Sequence, residues 1–368
     1  MKEFFLVCPI GLESLVAREI ELKYPCLLQS GQIKIAQAHP GGLEVHAETS
    51  IGLGLNITLK TPSKILMRVK EQKCRDYPKL FNIIKKINWK EIFLQTNITF
   101  VCHTSESRII HTGRAESTCT EALNAYFEAN KIKEKQLVKS KDYPAQRVYI
   151  RIHQDTLTIS LDTSGDLMHI RGDRSYRGHA SIRENIASLL LLKLLADHKS
   201  DTNLIDPMCG TGTFLFEALN FERPSKRKFL CHYFKQNEMQ FDNALTENIM
   251  PNKLFGRDID SEVIKKNKSL ESTIDFQVEN ILEEDAEKTI SGKNIVIINP
   301  PYGKRVKITG DKIEFFKKLI KAIQLKYKPI DIGMIIPRDF ASKIKADQRI
   351  PFNQNGIKVE FLIISTKL

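Results

Sequence analysis

The chain has 368 residues, 42% hydrophobic and 27% charged, with 56 Lys and Arg against 44 Asp and Glu for a net charge of +12. That length admits two or three domains with separate cores, and no apolar run approaches the roughly twenty residues that span a bilayer. Seven scattered cysteines without a Cys-x-x-Cys pair argue against a disulfide framework or a zinc site, so a reduced, cytoplasmic, metal-free protein is expected; a monomer is expected as well.

The opening "MKEFFLVCPIGLESLVAREI" does not read as a signal peptide, because Glu3 interrupts the positive region and no small-residue cleavage site follows. A basic surplus favours polyanionic partners through counterion release, although a merely lysine-rich soluble surface would give the same composition. "EFFLVCP" reads as a strand and "GLESLVAREIELKY" as an amphipathic helix with Leu12, Leu15, Val16 and Ile20 on one face. "QIKIAQA" and "LEVHAE" flank the turn His39–Gly42, a helix follows over 50–59, and "KILMRVKE" closes a βαββαβ pattern of ferredoxin-like type. This sets a first module at 1–50, extending to about 72, and a second at 51–163. The second holds helix "PKLFNIIKKINW", strand "NITFVCHTS", helix "AESTCTEALNAYFEANK" and a hairpin "RVYIRIHQDTLTISLDTSG".

Residues 164–185 are polar and arginine-dense, and read as a basic linker. Arg171, Arg174, Arg177 and Arg183 there either face nucleic acid or pair with Asp166, Asp173 and Glu184. From 186 to 368, strands alternate with helices densely enough to predict a doubly wound, mainly parallel α/β sheet, whose ligands sit outside the carboxyl ends of its strands.

Three strand ends carry chemistry. In "DPMCGTGT" (206–213) a glycine turn lets backbone approach a ligand, and the absence of a third glycine argues against a dinucleotide cradle. Asp206 precedes that turn, suited to accepting a cationic amine or to simple Asp-Pro turn formation. In "GRDID" Asp258 suits a ribose and Asp260 a helix cap, and Asn280 stands where a third strand would meet an adenine or merely form a turn. In "NIVIINPPYGKR" Asn299 offers an amide oxygen, Pro300 and Pro301 a rigid backbone with a free carbonyl, and Tyr302 a flat ring. Two acceptors beside an aromatic platform suit an exocyclic amino group on a planar base, whose lone pair they free for attack on an electrophile.

Together, "DPMCGTGT", "GRDID" and "NPPYGKR" resemble the S-adenosylmethionine-dependent amino-group methyltransferases. "ISLDTSGDLMHIRGDRSYRGHASIREN", "GLESLVAREI", "GGLEV" and "INWKEIF" narrow the resemblance to THUMP-domain RNA guanine-N2 methyltransferases, over nearly the whole chain. The resemblance implies a Rossmann-like class I methyltransferase domain preceded by ferredoxin-like and THUMP modules, with S-adenosylmethionine as cofactor. It implies structured RNA as partner, 23S ribosomal RNA before transfer RNA; a close relative can be fused to a second methyltransferase, and one activity is expected here. A transfer-RNA guanine-N2 methyltransferase of the same architecture is the nearest rival, and a non-catalytic RNA-binding or ribosome assembly factor a further one. Asp206, Pro207, Cys209, Gly210 and Gly212 would hold the methionine part of the cofactor, Asp258 its ribose, and Ile259 and Asn280 its adenine. Asn299, Pro300, Pro301 and Tyr302 would orient the guanine; Lys304 and Arg305 would meet flanking phosphates or form a salt bridge. The sequence departs from the family pattern at Asn280, usually an aspartate, at Asp173, usually aromatic, and at Ser181, usually a proline.

Overall fold

A computed structural model of the chain describes residues 1–93, 97–131, 144–171, 182–196, 198, 201–240, 250–251, 253–283, 290–301, 311–354 and 356–366. In chain order the first half contains β1 (Lys2–Val7), α1 (Glu13–Lys23), α2 (Pro25–Gln29), β2 (Ile33–His39), β3 (Gly42–Ala47), α3 (Thr49–Thr58), β4 (Lys64–Lys73) and α4 (Tyr77–Lys85). It continues with β5 (Ile98–Ser105), α5 (Thr112–Ala129), β6 (Gln146–His153) and β7 (Thr156–Asp162). The second half contains α6 (Glu184–Leu194), β8 (Asn203–Asp206), α7 (Thr213–Asn220), β9 (Lys253–Asp258), α8 (Ser261–Leu270), β10 (Asp275–Val278) and β11 (Asn294–Ile298). It ends with α9 (Lys312–Tyr327), β12 (Asp331–Pro337), α10 (Arg338–Ala341), β13 (Gln348–Gln354) and β14 (Ile357–Ser365).

These elements form two compact units, one of Met1–Val7, Cys26–Met168 and Ser225–Asp242, the other of Cys8–Pro25, His169–Pro224 and Asn243–Leu368. The first unit is built on one seven-stranded sheet in the order β2-β3-β1-β4-β7-β6-β5. The sequence suggested two modules divided near residue 50 or 72; instead β4 pairs with β1 along one edge and with β7 along the other. Each of its two backbone edges hydrogen-bonds to a different neighbour, so the ladder runs through the expected boundary. The sheet ends in a polar knot. Buried Asp162 accepts the Ser164 and Gly165 N–H groups (3.0 and 2.8 Å) and the Lys64 ammonium (2.5 Å). Asn56 bridges Thr163 and Ser164 at 2.9 and 2.7 Å, satisfying polar groups that burial would otherwise penalise. Residues 225–240, sequence neighbours of the second unit, join here: the Cys231 N–H donates to Thr163 O (2.9 Å), and Phe234 packs edge-to-face on Phe93 at 5.4 Å.

The second unit carries the predicted doubly wound sheet, in the order β10-β9-β8-β11-β12-β14-β13. β8 to β12 are parallel, while β14 runs antiparallel to β12 and β13 antiparallel to β14. β13 was not singled out from the sequence; Pro351 lies within it, and as an edge strand it tolerates a residue that cannot donate to a second neighbour. Val296, Ile298, Phe316, Leu319, Ile323, Ile332 and Met334 form the core between β11, β12 and α9.

Helix α1, expected in the N-terminal module, belongs to this second unit. Lys23 is buried there, donating to Glu19 Oε1 (2.6 Å) and to the Phe221 carbonyl (2.9 Å) beyond the end of α7. Burial pushes the Lys23 ammonium below its ordinary range, against the opposing pull of Glu19. Breaking a buried pair strands a charge, so Lys23→Met is expected to destabilise the protein by about 3–5 kcal/mol, and Glu19→Gln/Lys23→Met to recover much of that. Chemical denaturation monitored by far-ultraviolet circular dichroism checks both.

Candidate active site at the carboxyl ends of the parallel strands

The chain enters the sheet at β8, winds outward through β9 and β10, then crosses to β11 on the other side of β8. β8 and β11 therefore flank the topological switch point, beyond whose carboxyl strand ends sheets of this kind bind their ligands. Asp206 is the last residue of β8 and Asp258 the last of β9, and Asn299 directly follows β11.

The turn after β8 is held from four directions. The Cys209 N–H donates to Arg257 O (2.9 Å) and the Gly212 N–H to Cys209 O (2.7 Å). The Gly210 N–H donates to Asp258 Oδ2 (2.8 Å), and the Asn267 side-chain amide on α8 donates to the Gly210 carbonyl (2.8 Å). Gly210 and Gly212 have φ of +48° and +72°, conformations that a side chain would strain. A Cβ at Gly212 would lie 3.1 Å from Phe216, whereas at Gly210 nothing lies within 4 Å. The backbone of Gly210 thus borders open space in a turn already fixed by its neighbours.

Asp206 is only 2% exposed and accepts the Met208 N–H at 3.2 Å. Burial pushes its carboxyl well above the ordinary range, and the charge of Asp258 pushes the same way against the Met208 hydrogen bond. Such a group gains by meeting a cation. Asp258 Oδ1 accepts the Asp260 N–H (3.0 Å), so each of its oxygens takes one backbone donor and retains capacity for a hydroxyl. Asp260 caps α8 as expected, accepting from Glu262 and Val263 N–H at 3.0 and 3.2 Å. The Cys209 thiol is raised by burial and by Asp206 and Asp258, which keeps it protonated and unreactive.

Ile259 is 68% exposed immediately after β9, and Val278, paired in register with Asp258, is 55% exposed. Val278 was not singled out from the sequence. Asn280 acts as a turn-former: its amide donates to Glu283 Oε1 (2.9 Å) and its oxygen accepts the Leu282 N–H (3.1 Å). Asn299 and Pro301 are half-buried and Pro300 is buried. Tyr302, Lys304, Arg305, Arg174 and Arg177 lie outside the described residues.

Arg171 corrects an expectation. Instead of facing RNA it is 9% exposed, its Nε and Nη2 donating to Glu217 at 3.3 and 2.8 Å, while the Ser188 hydroxyl donates to the same carboxylate at 2.6 Å. A desolvated guanidinium requires such a carboxylate, and Glu217 on α7 supplies it. The link braces the helix that the glycine turn opens.

Residues 171–340 match the family model UPF0020, RMKL-like methyltransferase domain. The chain is 26% identical over 371 residues to the ribosomal RNA large subunit methyltransferase K/L of Colwellia psychrerythraea, covering 94% of this chain and 50% of that protein. It thus spans about half the length of that relative. A putative RNA methyltransferase of Synechocystis is 24% identical over 384 residues, 98% of this chain and 96% of that one. The solved structure of SMU.472, a putative methyltransferase complexed with SAH, shares the fold: TM-score 0.78 at 18% identity, over 100% of this chain and 98% of that one.

The site generates two expectations. Asn267→Ala removes the brace on the Gly210 carbonyl and should weaken S-adenosylhomocysteine binding about tenfold by calorimetry, equivalent to about 1.4 kcal/mol. The ligand's cationic amine favours ionised Asp206, so below the raised pKa binding must release a proton. Affinity should therefore rise with pH until that pKa is passed, and Asp206→Asn should flatten the profile. Residues 171–340 thus resemble an RMKL-like methyltransferase domain, and S-adenosylmethionine is the methyl donor.

Proposed function

We propose that this protein methylates the exocyclic N2 of a guanosine in structured RNA, with 23S ribosomal RNA as the substrate. The observation that carries this reading is the adjacency of β8 and β11: a braced glycine turn follows one strand, and Asn299-Pro300 follows its hydrogen-bonded neighbour. A methyl donor held over the first and a planar amine held by the second would meet at the switch point. The names borne by the Colwellia and Synechocystis relatives support RNA as the acceptor.

When bound, S-adenosylmethionine supplies an electrophilic methyl on a sulfonium. Asp206 accepts its ammonium, Gly210 and Gly212 let the backbone lie close, Asp258 accepts a ribose hydroxyl, and Ile259 covers adenine. The Asn299 side-chain oxygen and the Pro300 carbonyl accept the two hydrogens of the guanine amine, turning its lone pair towards the methyl, with Tyr302 as the stacking ring. These acceptors position and stabilise charge without acting as a strong base, and the surplus proton leaves to water. The guanine is extruded from its stack to reach them, which costs a few kcal/mol. In this reading the first unit comprises the ferredoxin-like and THUMP modules and grips RNA by phosphate and shape.

Transfer of labelled methyl from S-adenosylmethionine into ribosomal RNA tests the proposal. Asn299→Ala should lower the rate at least a hundredfold while leaving the RNA dissociation constant within about twofold. Wild-type activity in that variant would remove Asn299 from the chemistry.

A further inference from the structure

The first unit carries a groove between β4 and α4, about 530 Å³ in volume, lined by Lys70, Gln72, Lys79, Asn82, Ile83, Lys86 and Ile87. Its residues fall there by two periodicities. Lys70 and Gln72 are two apart on β4, so both point to the same face of the sheet. Lys79, Asn82 and Lys86 stand at i, i+3 and i+7, one stripe that α4 continues into its final turn, with Ile83 beside them. The buried edge of that stripe, Leu80, Ile83 and Ile84, fixes the helix to the unit and so fixes where its lysines leave the backbone.

The charge of the groove is uncompensated. Lys70, Lys79 and Lys86 are exposed, and none has a carboxylate within ion-pair distance among the described residues. Nearby charges are engaged elsewhere: Glu71 points to the other face towards Arg68 (3.6 Å), and Asp76 accepts the Lys79 backbone N–H at 2.7 Å as the cap of α4. Lys73, further along β4, is occupied with Gln154 O and the Thr156 hydroxyl. Exposed like charges about 10 Å apart repel only weakly in water, and clustered around a concave surface they create a positive potential that attracts a polyanion. Lys79 and Lys86 are separated by seven residues of helical rise, roughly 10 Å, too far apart for one phosphate to serve both. The occupant must present several anionic groups in a row, with a polar face for the amides of Gln72 and Asn82.

We propose that this groove seats the sugar–phosphate backbone of the RNA substrate, with Lys70, Lys79 and Lys86 on successive phosphates and Gln72 and Asn82 on ribose or phosphate oxygens. The inference rests on the RNA reading above and assigns it a surface. Contacts of this kind set register and affinity and carry no base specificity. They make the groove a handle on the RNA, separate from the residues that hold the guanosine.

The test compares wild type, Lys70→Ala/Lys79→Ala/Lys86→Ala and the charge-retaining Lys70→Arg/Lys79→Arg/Lys86→Arg with an in vitro transcript of large-subunit ribosomal RNA. The substituted side chains are exposed, so folding is expected to survive, and an unchanged S-adenosylhomocysteine dissociation constant verifies it. The alanine variant should bind RNA at least tenfold more weakly at moderate salt. Its slope of log affinity against log salt should be shallower by about 2–3, since each phosphate that is no longer neutralised removes about 0.7–0.9 from the slope. Its KM for RNA should rise with kcat retained, and the arginine variant should restore binding. Equal affinity and an equal slope in the alanine variant, with wild type still methylating the transcript, would overturn the groove alone. Failure of wild type to bind or methylate any RNA would overturn the RNA reading with it. Weakened binding of an acidic peptide, with RNA binding untouched, would reassign the groove to a protein partner and also overturn the proposal.

Discussion

The hydrogen bond from the Gly210 N–H to the Asp258 carboxylate is the constraint from which the candidate site follows. It joins the turn after one parallel strand to the end of the next, so that the turn's geometry is dictated by the register of the sheet. Asn267 closes the opposite side by holding the Gly210 carbonyl from α8. A glycine turn without such partners would sample many conformations, because glycine loses more freedom on ordering than any other residue. With them, the entropy of ordering is met during folding, and a ligand arriving at the turn need not supply it.

The surroundings are fixed in the same way, by contacts within the chain. Arg257, buried behind the turn, donates to the Asp275 carbonyl and carboxylate at 2.6 and 3.0 Å and so ties β9 to β10. Glu279, beyond β10, takes the Tyr327 hydroxyl and the Lys326 ammonium, the latter at 3.2 Å. On the far side, Arg171, Glu217 and Ser188 lock α7 to α6, and Lys23 with Glu19 adds α1. Paired charges thus brace the elements behind the strand ends, while Asp206 and Asp258 end β8 and β9 beside the glycine turn. A carboxyl as buried as Asp206, with no cation paired to it among the described residues, is matched to a ligand with a positive charge.

Much of this was legible in the sequence because it is local. Glycines spaced two apart after an apolar strand, an acid ending each of two successive strands, and Asn-Pro-Pro after a third are patterns within a few residues. The Asp260 cap was readable for the same reason. Contacts at long range were not. Asn267 lies 57 residues from the carbonyl it holds, and nothing in "SEVIKKNKSL" distinguishes it from a solvated helix position. Arg171 stands in a polar, arginine-rich stretch that suggested RNA, and its partner Glu217 is 46 residues away inside an apolar helix. The division of the chain failed to show because β4 has two edges, and pattern alone reveals that a strand exists but not how many neighbours it takes. Asn280 was readable either way, and its bonds to Glu283 and Leu282 favour the turn.

If the turn is built before its ligand arrives, backbone amide exchange across 206–213 records it. Hydrogen–deuterium exchange of the free protein should show Gly210 and Gly212 amides already slowed relative to an unstructured peptide, with only modest further slowing on adding S-adenosylhomocysteine. Free exchange across that segment until the ligand is added, followed by strong protection, would mean that the ligand makes the turn and would contradict the account.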